Sequence, residues 1–401
     1  MIVRAGTHER LSERIERRDW LLIIGLCLTP MTGLRVWKIG PAEILCMLWS
    51  IFYFPKKKIT ANSIFKFFCV FMSAMLIGTL WGLYVSPQEL SLDHWFTWIY
   101  LAFIAMGMYE GLTGNPLEYN IKLFDTFAMG AAIWYLFLFI YSRVISTSFL
   151  GAPLWYYGYR FTGGATNPHQ IAVLMCGLTF YFTRYVFKRK KPIINSAFAI
   201  ICAYLELQTA ASTGGAALVV SFAITVFIIT GHRVSRKRKR YAIYAMEIFA
   251  ILIIGIIGYK FFYQAVYGWI ASDKNGLGRL NLISQIGNSF TKSPVFGLGP
   301  GVHAFDLSGN IKEYHNTYLE ILAATGIVGL WAFILLTIRT VKKILLVDDL
   351  LIPILVSIYV YGLGGFAMRR LAYWGLFVFI FVIAEQMGRK ATGDKSSEST
   401  L

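Results

Sequence analysis

Apolar residues fall into repeated runs of roughly 17–25 residues, the length at which a helix crosses the hydrocarbon core of a bilayer. Within these runs no polar alternation appears. A barrel strand would show it, so the pattern predicts membrane helices, the other structure that satisfies its own backbone in lipid. In order, the expected spans are about 20–32, 39–54, 64–85, 95–111, 123–141, 168–187, 193–207, 215–230, 241–262, 315–336, 350–367 and 371–387. That makes an all-α, polytopic membrane protein of about twelve transmembrane helices. Pro30 and Gly33 close the first run, and Arg35 to Lys38 turns the chain back. The stretch 263–314 is the longest without a spanning run and reads as one large loop between the ninth and tenth helices. Residues 391–401 read as a polar, disordered tail on a single integral membrane domain, 1–401.

Composition agrees with this pattern. Hydrophobic residues make up 57% of the chain and charged residues only 15%, against about a quarter charged in a soluble domain. The formal net charge of +17 would raise the question of nucleic acid in a soluble protein. Here the cations sit in short patches beside apolar runs: Arg4 to Arg18, Lys56 to Lys58, Lys188 to Lys191, His232 to Arg240, Arg339 to Lys343 and Arg389–Lys390. The positive-inside rule accounts for them, so nucleic acid is not expected as a partner, and no P-loop or dinucleotide fingerprint points to a nucleotide. It also places both termini in the cytoplasm and the acidic S-P-Q-E-L-S-L-D loop (86–93) outside. Met1 to Asp19 is polar and no A-x-A site follows, so no cleavable signal is expected. The cysteines Cys27, Cys46, Cys69, Cys176 and Cys202 lie within or beside the runs without paired spacing and read as small hydrophobes.

This counting collects Arg160, Arg279, His315 and the pair Arg369–Arg370 on one extracytoplasmic side. Arg160 sits in Y-G-Y-R-F-T-G-G-A-T-N-P-H-Q, where a loop enters the sixth helix. A helix start there favours an anion, and a guanidinium grips phosphate bidentately. The alternative is an interfacial arginine among Trp155, Tyr156, Tyr157 and Tyr159. Arg279 follows Asn275-Gly276-Leu277-Gly278 in an outer loop, where cations are scarce. Arg369–Arg370 is the one multi-basic patch that falls outside, and two cations there need an anionic partner, a ligand or a lipid. His315, in E-Y-H-N-T-Y-L-E, can act as a base near neutrality, with Glu313 and Glu320 close enough in sequence to orient it. It also suits a helix cap.

His169 and His303 lie in Gly/Pro turns and carry a weaker signal. No metal-ligand spacing joins the histidines, and no metal or other cofactor is expected. The intramembrane carboxylates Glu43, Glu110, Asp125, Glu206, Glu247 and Glu385 fit structural pairing better than a proton pathway. Residues expected to line the cavity are His303, Asn316, Asn167 and Gln208, with Ser212 and Thr213 at the same short outer turn as Gln208.

Together these pieces resemble the O-antigen ligase and polymerase superfamily. G-L-G-R-L followed by K-S-P-V-F-G-L-G-P-G resembles its outer-loop arginine and SP-x-x-G-x-G segment. H-N-T-Y-L-E-I-L-A-A-T-G-I-V-G-L resembles its HN-x-x-L-E helix start, and R-F-T-G-G-A-T-N-P-H-Q its upstream arginine element. A-M-R-R-L-A-Y-W resembles the arginine before the last helix of ligases. One departure is T-A-A-S-T-G-G before the eighth helix, where many relatives carry a Ser-Arg or Thr-Arg pair.

The resemblance implies a C-type glycosyltransferase-like fold in the bacterial inner membrane, with its active site facing the periplasm. It implies an undecaprenyl-diphosphate-linked glycan donor and a metal-independent, inverting transfer to lipid A–core oligosaccharide. Arg160, Arg279, Arg369 and Arg370 would hold the diphosphate, with Arg279 and His315 catalytic. A polymerase would use the same donor with a lipid-linked repeat as acceptor; the single large loop and the late arginine lean towards ligase. A lipid-linked glycan transporter is the reading from another class.

Overall fold

The computed structural model describes residues 15–53, 62–233, 281–305 and 309–392. Arg4, Arg10, Arg14, the Lys56–Lys58 patch, residues 234–240, the expected span 241–262, Glu247, Arg279 and the tail beyond residue 392 lie outside the described residues.

Among the described residues the structure is helical, with α1 (Asp19–Cys27), α2 (Pro41–Tyr53), α3 (Ser63–Val85), α4 (Leu92–Thr113), α5 (Leu117–Val144) and α6 (His169–Phe187). There follow α7 (Pro192–Gln208), α8 (Ser212–Arg233), the short α9 (Ile286–Lys292), α10 (Thr317–Val347), α11 (Ile352–Tyr361) and α12 (Leu371–Thr392). Two-residue strands form three small antiparallel hairpins: β1 (Ser148–Phe149) with β2 (Ala152–Pro153), β3 (Trp155–Tyr156) with β4 (Arg160–Phe161), and β5 (Ala304–Phe305) with β6 (Ile311–Lys312). Six helices, α3, α5, α6, α8, α10 and α12, are long and apolar enough to cross a membrane. With α2, α7 and residues 349–361 as shorter apolar helices, this is a multi-pass membrane protein.

The chain divides into two compact units. The first comprises Met1–Cys69, Asp93–Leu218 and Phe333–Leu401; the second comprises Val70–Leu92 and Val219–Ala332.

In the first unit α6 and α12 are the central helices, each with 78% of its apolar window buried. α6 packs on α7 and α11, and α5 packs on α1, α7 and α12. Lipid tails are as apolar as these side chains, so close packing rather than the hydrophobic effect holds such helices together. Phe124 lies parallel to Phe379, ring centroids 4.8 Å apart, and Trp374 packs against Phe67 and Phe68. Gly177 lets α6 approach α12, since a Cβ there would sit 2.6 Å from Leu376 Cδ1.

Buried polar groups in this unit are mostly paired, as an apolar interior demands. Asp19 accepts hydrogen bonds from Trp49 Nε1 (2.8 Å), Tyr53 (3.0 Å) and Tyr119 (2.5 Å). Arg35 donates to Glu43, Asn62 to Glu110, Tyr181 to Asp125 and Lys343 to Glu385. Glu206 departs from this pairing: it is buried against Gly214, and neither carboxylate oxygen has a hydrogen-bond partner.

Where α6 ends, Arg184 Nε donates to Asp348 Oδ2 at 2.5 Å, both side chains almost fully buried, and Lys188 joins them. Removing one partner strands a buried charge, which costs about 3–5 kcal/mol. Asp348→Asn is therefore expected to lower the thermal midpoint of the detergent-solubilised protein clearly. Glu118→Gln, which breaks an exposed pair with Lys390, leaves the midpoint nearly unchanged.

In the second unit the later part of α3 and the early part of α10 enclose an ordered loop. Leu282, Ala304, Tyr314 and Ala323 form its buried apolar cluster, with Ile286 and Leu319 against them.

Candidate functional site

His315 occupies the residue before the cap of α10. Asn316 caps the helix, its Oδ1 accepting the N–H groups of Tyr318 (3.0 Å) and Leu319 (3.2 Å), the usual role of asparagine there. The imidazole is exposed. The backbone of His315 lies in the left-handed region at φ 52°, a conformation costing a non-glycine residue on the order of 1–3 kcal/mol. Its neighbours hold it there. Glu320 Oε1 accepts the N–H of Tyr314, the residue before His315, at 2.5 Å. The Tyr314 ring is fully buried, and its hydroxyl meets Ser289 Oγ (2.7 Å) and the His303 carbonyl (3.2 Å). Burial pushes that hydroxyl up to about 12, so it remains a donor at working pH.

The segment S-P-V-F-G-L-G (293–299) explains how α10 begins. α10 is broken at Gly326, whose φ of 61° and ψ of −161° are not helical. A break frees backbone groups, and in a membrane helix these must find partners. Leu298 and Gly299 donate to the carbonyls of Ala323 and Ala324, while Ile327 and Val328 donate to those of Pro294 and Val295. The loop is thus hydrogen-bonded into the gap. Gly297 makes the approach possible: it has φ 70°, and a Cβ there would lie 2.5 Å from the Ala324 backbone.

A buried charge cluster locks the other side of this loop. Glu89 is buried. Lys292 Nζ donates to Glu89 Oε1 (2.9 Å) and Ser86 Oγ (2.9 Å). His303 Nδ1 lies 3.1 Å from Glu89 Oε2, and His303 Nε2 donates to the Gly299 carbonyl at 2.8 Å. Backbone bonds zip the same edges together, Ser91 to Pro300 and Val302 to Glu89. His303, expected to line a cavity, is buried with both ring nitrogens engaged.

Burial alone would raise the Glu89 carboxyl, but hydrogen bonds from His303 and Lys292 outweigh it and hold Glu89 at about 2. A carboxyl held below its unfolded value stabilises the fold above about pH 4.5, and the contribution is lost as pH falls from there towards 2. Hydrogen exchange at Ser91 and Val302, corrected for intrinsic rate, is therefore expected to stay slow at pH 6 and accelerate below about pH 4.

The remaining predicted residues lie in the first unit. Arg160 is in β4, beyond a turn in which Tyr157 (φ 51°) and Gly158 (φ 76°) are left-handed. Its Nε donates to the Thr209 carbonyl at 3.0 Å, in the turn just after Gln208 ends α7. Asn167 Oδ1 accepts the His169 N–H (2.9 Å) at the start of α6. Arg369 lies over the Phe366 ring, 5.2 Å from its centroid, and Arg369 and Arg370 are both half-buried. Trp374 Nε1 donates to the Met368 carbonyl at 2.7 Å, pinning their segment. Gly364 of that segment packs directly on Thr213, at the start of α8.

In the first unit Arg160 is thus bonded to the turn after Gln208, and Gly364, five residues before Arg369, packs on Thr213. The second unit holds His303, His315 and Asn316 together. Among the described residues no group of three or more His, Cys, Asp or Glu side chains forms a metal cluster. The cleft of about 560 Å³ between α1 and α5, lined by Trp20, Ile24, Met129 and Trp134 among others, holds no charged group. Sequence reasoning missed Glu89 as Lys292's partner; its one signal was an acidic loop free of cations.

Residues 196–334 match the family model described as O-antigen ligase. No curated protein matches the chain. The matched segment runs from α7 into α10 and includes Arg279, His303, His315 and Asn316, while Arg160, Arg369 and Arg370 lie outside it. The match places this segment in the O-antigen ligase superfamily.

Proposed function

From that membership we propose that the protein is an O-antigen ligase, transferring a glycan from undecaprenyl diphosphate to lipid A–core oligosaccharide. It would work at the periplasmic face of the bacterial inner membrane, with both termini cytoplasmic. The observation that carries this reading is the family match across the stretch containing both Arg279 and His315.

The chemistry is a direct displacement. His315 accepts the proton of the acceptor hydroxyl as its oxygen bonds to the anomeric carbon of the donor sugar. The bond from that carbon to the diphosphate oxygen breaks with inversion, and undecaprenyl diphosphate leaves with the electron pair. Arg160, Arg279 and Arg369 or Arg370 neutralise the charge that develops on the leaving group, which is stabilisation confined to the transition state. The exposed imidazole of His315, carried on a backbone turn that its neighbours hold, supports its role as base. The half-buried guanidinium groups of Arg160, Arg369 and Arg370, each able to grip phosphate, support theirs as diphosphate ligands.

Arg160→Ala is expected to leave the protein in the membrane and to cut transfer from lipid-diphosphate glycan sharply. Arg160→Lys, which keeps a charge but loses the bidentate fork, recovers it only in part. Purified enzyme with donor and acceptor measures this, and unchanged kinetics in Arg160→Ala would remove Arg160 from the site. Elongation of the carrier-linked glycan in the same assay, with no transfer to lipid A–core, would identify a polymerase.

A further inference from the structure

We propose that Glu89 is a positioning residue for His315, acting through His303; the role in transfer rests on reading His315 as the base. Glu89 and His303 are 214 positions apart in sequence, and each is almost wholly buried. Their contact is the starting point of two hydrogen-bonded routes, one into α10 at Ala324 and one to the residue before His315.

The first route uses the His303 ring. Its Nε2 donates to the Gly299 carbonyl, and Gly299 N–H donates in turn to Ala324 in α10. The second uses the His303 backbone. Its carbonyl accepts the hydroxyls of Ser289 (3.1 Å) and Tyr314 (3.2 Å), and Tyr314 is the residue before His315. The Tyr314 N–H is held by Glu320, so the left-handed turn at His315 is clamped on both sides. A carbonyl accepts only, so Nε2 of His303 must carry a proton. Nδ1 faces a carboxylate, which also only accepts, so Nδ1–H donates to Glu89 and both ring nitrogens carry a proton; Glu89 thereby sets the ring plane that aims Nε2 at Gly299.

Lys292 has a lesser part. It meets the other carboxylate oxygen and remains partly exposed. Charge balance alone would make Lys292 and His303 equivalent partners of Glu89, whereas the two routes run through His303 only. Loss of Glu89 should therefore misplace the imidazole of His315 without touching the donor. A displacement of about 1 Å at a reacting group costs on the order of 100-fold.

The test uses the full chain purified in nanodiscs, as Glu89→Gln, Glu89→Asp, His303→Asn, Lys292→Met and the Glu89→Gln/His303→Asn double variant. The first readout is independent of activity: the rate at which diethyl pyrocarbonate modifies His315, read by mass spectrometry with exposed His232 as internal reference. Glu89→Gln and His303→Asn are expected to shift the rate at His315 and not at His232, and Lys292→Met to shift neither. The second is transfer kinetics. Glu89→Gln is expected to lower kcat about 100-fold with donor KM retained, Glu89→Asp to recover part of it, and the double variant to be no worse than either single change.

Wild-type His315 reactivity and kcat in Glu89→Gln would overturn the proposal, as would additive losses in the double variant. If Glu89→Gln does not fold, His303→Asn with Lys292→Met as its control decides the same question. Transfer at the wild-type rate in His315→Ala would instead refute the assignment of the base. The reactivity measurement would still report whether Glu89 positions that side chain.

Discussion

Replacing His315 is expected to cut glycan transfer at least about 100-fold while the protein still inserts and folds. A general base contributes about 10²–10⁴-fold, so the variant should retain at most about one hundredth of the wild-type rate. The imidazole is exposed, and truncating an exposed side chain usually changes stability by less than about 0.5 kcal/mol. The backbone complicates this slightly, because φ is 52° and alanine resists that region. His315→Asn is the cleaner variant, since asparagine tolerates the left-handed region better than most residues and offers no base. Both variants are expected to be inactive, with thermal midpoints close to wild type. A wild-type rate in His315→Asn would sink the assignment.

The second large effect is structural. Gly326→Ala is expected to prevent accumulation of folded protein. The added Cβ would clash with the Val295 backbone, and the φ and ψ of Gly326 are accessible essentially to glycine alone. Strain and overpacking together cost on the order of 3–6 kcal/mol, comparable to the whole stability of many domains. Relief would require expelling residues 294–299 and leaving the carbonyls of Ala323 and Ala324 without their donors. Gly287→Ala is the control: it lies in α9 with nothing within 4 Å of the added Cβ, so it should be neutral or slightly stabilising. Membrane yield and size-exclusion profile compare the two, and normal behaviour of Gly326→Ala would show that the break in α10 is not obligatory.

Which features were legible in the sequence follows from the range of the interactions that make them. The third expected span, 64–85, coincides with α3 at Ser63–Val85, and 168–187 with α6 at His169–Phe187. Such boundaries depend on local hydropathy, and Pro or Gly beside the run marks the ends. The span expected at 350–367 ends at Tyr361 instead, because Gly364 must lie flat on Thr213 and the chain there turns non-helical. The break in α10 left no mark in its own window. T-G-I-V-G reads as glycine tolerated in an apolar helix, and the partners of the gap lie some thirty residues earlier, in 294–298.

The loop before Arg160 folds into small hairpins, a detail set by a glycine turn and too short to show a period. The position of His315 and Asn316 at a helix start was legible because a helix start has its own residue grammar. Glu89 was not, since a lone acidic residue in a polar loop carries no trace of a histidine 214 positions away.

The most direct test of the central claim is gel analysis of lipopolysaccharide and carrier-linked glycan from a strain lacking this protein, with and without the wild-type chain restored. An O-antigen ligase predicts lipid A–core without attached glycan in the deletion, with full-length glycan retained on its lipid carrier, and restoration by the wild-type chain alone. Glycan still attached to lipid A–core at its normal level in the deletion would contradict it.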